Sequence, residues 1–136
     1  MKAKIWVPRA SQRAPVSDAE KQRIVAACER FIHDVLKPQF LPQIKPNKWN
    51  YPIDIHGVWA GGRYRFVQRY RSGMEHNRGE EFDAPFARID RMGLDRFDIY
   101  WMRHTGKWWR LYRDVTLAEA LQILERDGIL HPLSSD

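Results

Sequence analysis

The chain has 136 residues, 43% hydrophobic and 29% charged, which suits one domain with its own core and excludes a disordered polyelectrolyte. Its one cysteine, Cys28, excludes an internal disulfide, and no apolar run reaches the length of a secretory leader or a membrane span, so a cytoplasmic chain without a membrane partner is expected. A formal charge of +6 admits nucleic acid or another anionic partner, although that charge also serves solubility.

Residues 1–16 hold Lys2, Lys4, Arg9, Arg13 and two prolines, and predict an extended basic arm ahead of a single domain over 17–133. A helix is expected from Ser17, with Glu20 at the capping-box spacing. Ile24, Cys28, Phe31, Ile32 and Val35 make its apolar stripe. Cys28 lies on that stripe and reads as a buried thiol, and Pro38 is expected to end the helix. Residues 37–52 carry four prolines among Phe40, Leu41, Ile44, Trp49 and Tyr51, a connection apolar enough to wrap the core.

The middle of the chain predicts an antiparallel sheet. IDIHGVWAGGRYRFVQRYR reads as two strands joined at Gly61-Gly62. SGMEHNRGEE reads as a loop, FARIDRM as a third strand, and RFDIYWMRH and WWRLYRD as two more around Thr105-Gly106-Lys107. A last helix starts at the Thr116 cap, with Glu119 three residues on and Leu117, Leu121 and Leu124 as its stripe. Gly128 is the expected stop. The fold class is α+β: about five antiparallel strands, with an N-terminal and a C-terminal helix packed on one face.

The stretch DIYWMRHTGKWWRLY, followed by TLAEALQIL, carries a more specific signal. Tyr100-Trp101-Met102-Arg103, a turn, then Lys107-Trp108, Leu111-Tyr112 and a short leucine helix resemble the bacterial domain-of-unknown-function family 3024. The resemblance is tightest over residues 98–124 and looser back to the first helix. It implies a small bacterial soluble protein and assigns no activity.

The segment RYRFVQRYR raises the question of function. On a strand, Tyr64, Phe66 and Tyr70 would face the helices, and Arg63, Arg65, Arg69 and Arg71 would face out. Phe97, Ile99 and Trp101 would face in on the next-but-one strand. The register of the 96–113 hairpin depends on its turn. A two-residue turn places Trp101 opposite Arg110, and a three-residue turn places Trp101 opposite Leu111 and Tyr100 opposite Tyr112. The second keeps Arg110 out of the core and is the expected one. The outer face then gathers Arg63, Arg65, Arg69, Arg71, Arg88, Tyr100, Trp108, Arg110 and Tyr112. Guanidinium groups among flat rings suit phosphates and unstacked bases, so single-stranded nucleic acid is the expected partner. The same composition also describes a solvated sheet face, with Asp90 and Asp98 pairing some arginines.

Two other classes compete. The aromatics and the proline-rich segment around Trp49 could dock a protein or a second copy of the chain. Asp54 and His56, two apart on one strand, with His104 at a hairpin end, could serve a hydrolase or nuclease. His76, Glu75, Glu80, Glu81 and Asp83 could contribute to a metal site, yet no histidine or cysteine pair has ligand spacing. No nucleophile elbow or phosphate-binding loop is present, and no cofactor is implied.

Overall fold

The computed structural model describes residues 15–133. Of the arm expected over residues 1–16, positions 1–14 lie outside the described residues. Five strands form one antiparallel sheet in chain order: β1 Asn50–Ala60, β2 Arg63–Ser72, β3 Glu81–Gly93, β4 Arg96–Met102 and β5 Trp108–Val115. Helices α1 Asp18–Phe31 and α3 Leu117–Arg126 cover one face, with a short α2 over Lys37–Phe40. Among the described residues no helix is long and apolar enough to cross a membrane.

The core forms where the sheet meets these helices. Tyr64, Phe66, Ile89, Phe97 and Ile99 from the sheet pack with Ile24, Cys28, Phe31, Ile32 and Leu36, and with Ala120 and Leu124 of α3. Phe31 meets Phe66 edge-on at 6.2 Å, the geometry that aromatic quadrupoles favour. Burial pushes the Cys28 thiol up to about 12, with Glu29 adding to the shift.

Both expected caps are present. The Ser17 hydroxyl accepts from the Glu20 amide at 3.1 Å, and Thr116 with Glu119 forms a complete capping box. The Glu20 carboxylate does not return to its own cap. It is buried and bound in two places by Arg91 of β3, at 2.9 and 3.1 Å.

Pro38 does not stop the first helix. The chain widens into a π turn over Ile32–Leu36, with the Lys37 amide bonding to the Ile32 carbonyl, and then continues to Phe40. Proline lacks the N–H and crowds the carbonyl four residues back, and a wider turn relieves both constraints. The shift also brings Leu36 to the core, leaving Val35 half-buried.

Gly61 and Gly62, both at positive φ, make the tight β1–β2 turn. The third strand begins at Glu81, five residues before the expected FARIDRM strand. Pro85 concealed this extension. It sits where the pairing with β2 shifts, Phe66 lying opposite Ala87 and Val67 opposite Pro85, and a bulge is where a sheet tolerates proline.

The β4–β5 hairpin has neither of the expected turns. Residues 103–107 form its loop, closed by the Arg103 amide on the Lys107 carbonyl at 2.9 Å. Trp101 therefore lies opposite Trp109, and Tyr100 opposite Arg110. A register shift in β5 then sets Tyr112 opposite Ile99, toward the core, where its hydroxyl donates to Asp127 at 2.6 Å. Tyr112 is thus not part of the outer face.

Candidate nucleic-acid interface

On β2 the side chains alternate as expected. Arg63, Arg65, Val67, Arg69 and Arg71 face away from the helices, and Tyr64, Phe66, Gln68 and Tyr70 face toward them. The register builds one row across the outer face: Val58, Arg65, Arg88, Tyr100 and Arg110, one from each strand. Trp108 follows one step along, on the face of Tyr100 and Met102.

Most of these arginines are already held by carboxylates. Arg69 Nε donates to Asp83 at 2.9 Å, and Arg71 Nη2 to Glu81 at 2.9 Å. Both acids belong to the part of β3 upstream of Pro85, so the extra strand length supplies the partners. Arg63 reaches Asp90 at 3.5 Å, and Arg110 reaches Asp98 at 3.5 Å. Arg88 is the most enclosed, 7% exposed, and donates to both oxygens of Asp90 at 2.7 and 3.0 Å. Its guanidinium lies over the rings of Tyr100 and Trp108, 4.1 and 4.9 Å from their centroids. Arg88 is therefore an internal brace of the sheet face.

The carboxylates respond to these surroundings. The hydrogen bond from Arg69 holds the Asp83 carboxyl below its ordinary value, aided by His56. Burial pushes the Asp90 carboxyl up, against the pull of Arg88 and Arg63.

Several unpaired cations stand on the neighbouring hairpin. Residues 96–115, the β4–β5 hairpin, hold five cationic side chains, two carboxylates and six aromatics. Among the described residues, Arg103, Lys107 and Arg113 have no ion pair, and neither does Arg65 in the adjoining row. Trp109 is 54% exposed, with Arg103 5.2 Å over its ring. The face expected from the sequence, Arg63, Arg65, Arg69 and Arg71 with Tyr100, Trp108, Arg110 and Tyr112, omits Arg103, Lys107, Trp109 and Arg113. The excess of cations over carboxylates in this hairpin was the available signal.

The catalytic candidates do not converge. Asp54 pairs with Lys37 at 3.1 Å, and His56 Nε2 stands 3.4 Å from Asp83 instead of from Asp54. His104 lies in the β4–β5 loop, exposed, and β4 is three strands from β1, roughly 14 Å at ordinary strand spacing. Of the acids near His76, Glu81 is engaged by Arg71 and Asp83 by Arg69. Among the described residues no three His, Cys, Asp or Glu side chains are grouped so that they could hold a metal ion.

Comparison with curated proteins and with solved structures returns no match. A family model, the domain of unknown function DUF3024, matches residues 16–132, from the entry into α1 to the segment after α3. With nearly the whole described fold covered by that match, the chain belongs to the DUF3024 family.

Proposed function

We propose that the chain is a binding module for single-stranded nucleic acid, held along the β4–β5 hairpin. The carrying observation is that Arg103, Lys107 and Arg113, free of carboxylates among the described residues, share the hairpin with the exposed Trp109 on its helix-side face and the half-buried Trp108 on its outer face. Cations with open valences attract phosphates, and an exposed indole offers a stacking surface to any base. Arg65, also without an ion pair among the described residues, extends the basic surface onto the outer face.

The test is binding of a labelled single strand as salt is varied. Arg103→Gln with Arg113→Gln should weaken binding and reduce the slope of log K against log salt by about 1.4, the value for two single-strand phosphate contacts. Arg69→Gln should leave the slope unchanged, because Asp83 already occupies that guanidinium. Trp109→Ala should weaken binding by roughly 1–3 kcal/mol without changing the slope. No binding by the wild type at low salt would refute the reading.

Exposed Trp49 and Ile44 favour a second reading, a protein-docking surface on the segment before β1. Association there would be insensitive to salt and would be lost in Trp49→Ala.

A further inference from the structure

RYRFVQRYR contains one residue that fits neither face. Gln68 stands on the helix side of β2 among Tyr64, Phe66 and Tyr70, and is 2% exposed. Its Oε1 has no hydrogen-bond partner among the described residues. Among the described residues the other buried side-chain atom without one is Trp101 Nε1. Both residues line the same cavity, of about 290 Å³, between the sheet and the segment after α3.

Much of its wall is apolar. Tyr70, Phe86, Met102, Ile129 and Leu133 offer apolar surface. Ala84 of β3, opposite Gln68, also lines the cavity with its short side chain. Gln68 and Trp101 stand on strands two apart and are also offset along the sheet, Gln68 opposite Ala84 and Trp101 opposite Ala87, so their backbones are separated by more than the roughly 9–10 Å of strand spacing alone. A stable buried water needs two to four polar partners. Arg103, His104 and His131 are further polar side chains of the lining, and none of them bonds to either atom.

We propose that this cavity binds a flat nitrogen heterocycle with hydrogen-bonding atoms on two edges, the chemistry of a purine-type base. A donor on one edge meets Gln68 Oε1, and an acceptor on another meets Trp101 Nε1. A single hydroxyl cannot serve both atoms across two strands. The size agrees, since an apolar cavity of about 150 Å³ takes one benzene ring and this one has about twice that volume. Arg103 and His104 also line the cavity, where they would meet a phosphate carried by the ring. The site does not depend on the proposed strand-binding surface, although Arg103 belongs to both.

The experiment follows the Trp101 indole N–H in a ¹⁵N–¹H correlation spectrum, assigned by Trp101→Phe. Adenine should move that signal downfield and saturably as the orphaned donor gains an acceptor. Gln68→Leu should weaken adenine binding about tenfold, one buried hydrogen bond's worth. It should not lower the melting temperature, since an unpaired buried acceptor is removed. Adenosine monophosphate and a single-stranded oligonucleotide distinguish the source. Stronger binding of the monophosphate than of adenine, lost in Arg103→Gln, indicates a free nucleotide. Movement by the oligonucleotide alone indicates a base delivered by a strand. Movement by adenine with no oligonucleotide binding anywhere leaves this site standing and removes the strand-binding reading. The proposal is overturned if none of the three probes moves the signal at millimolar concentration. It is also overturned if Gln68→Leu binds adenine as well as the wild type, or if indole, with one donor and no acceptor, binds equally well.

Discussion

The guanidinium of Arg88 lies 4.1 Å from the ring centre of Tyr100, its directly opposed neighbour on β4. With Asp90 gripping its edge and Trp108 on its plane, Arg88 is solvated by protein instead of water. A charge so enclosed needs its counter-charge. Asp90→Ala should cost about 3–5 kcal/mol in denaturant unfolding, because it leaves a buried guanidinium unpaired. A loss under about 1 kcal/mol would mean that water reaches Arg88 readily.

The two aspartates of the outer face should give opposite pH signatures. Asp83 is held below its ordinary value of 3.8, so its pair with Arg69 stabilises the fold above that pH and the contribution is lost as pH falls through the lowered value. Asp90 is held above 3.8, so its contribution declines as pH rises from 3.8 through the raised value. Melting temperatures across the acid range should show a shallower acid-side decline in Asp83→Asn than in the wild type. An unchanged acid limb would remove the Arg69–Asp83 pair from the account.

Gly57 lies opposite Phe66 on β1, and a Cβ there would run into the ring and hydroxyl of Tyr64. Tyr64 is 1% exposed and cannot swing aside. Gly57→Ala should therefore destabilise by about 1–3 kcal/mol, the usual range for overpacking. The double variant Gly57→Ala with Tyr64→Phe should recover part of that loss, because the hydroxyl is among the atoms met. If the single variant melts with the wild type, β1 moves more freely than its pairing with β2 suggests.

Cys28 should resist modification. Fully enclosed and with its thiol raised to about 12, it offers almost no thiolate at neutral pH. A thiol reagent in excess should label it only at the rate of unfolding. Rapid labelling of the native protein would show that α1 detaches from the sheet.

Thr116 closes a reciprocal cap with Glu119, the amides of both residues donating to the other's side chain at 2.8 and 3.1 Å. Thr116→Ala should cost about 0.5–2 kcal/mol. An unaltered melting curve would show that packing of Ala120 and Leu124 alone holds α3.

Features governed by short-range chemistry were legible in the sequence. Ser17 and Thr116 announced helix starts because a hydroxyl satisfies amides two or three residues away. Gly61-Gly62 announced a turn because both residues adopt positive φ. The order of helices and strands followed from these punctuations and from the apolar period. Pro38 and Pro85 misled because their local cost was absorbed by a π turn and a bulge, which depend on neighbouring elements. The turn of residues 103–107 and the shifts in β5 decided the fate of Tyr112, and a plausible alternative register gave no local warning. The arginines of β2 were read correctly as outward. Their neutralisation was hidden, because Glu81 and Asp83 become partners only once β3 extends past its proline. The lack of a partner at Gln68 is a property of the packed interior and leaves no mark in the sequence.

The bond between Glu20 and Arg91 spans 71 residues of chain and is buried at both ends. It therefore bears on the order in which the molecule is made. At ordinary rates of synthesis, of about 5–20 residues per second, Glu20 precedes Arg91 by roughly 4–14 s. Through that interval α1 carries a carboxylate on the face it must bury, with no cation yet available to meet it. The β1–β2 hairpin and the start of β3 emerge during the wait and can pair among themselves, since neighbours in the sheet are neighbours in the chain. The first helix of the described fold can therefore complete its buried ion pair only after the third strand has been synthesised, when its sheet can already have begun to form.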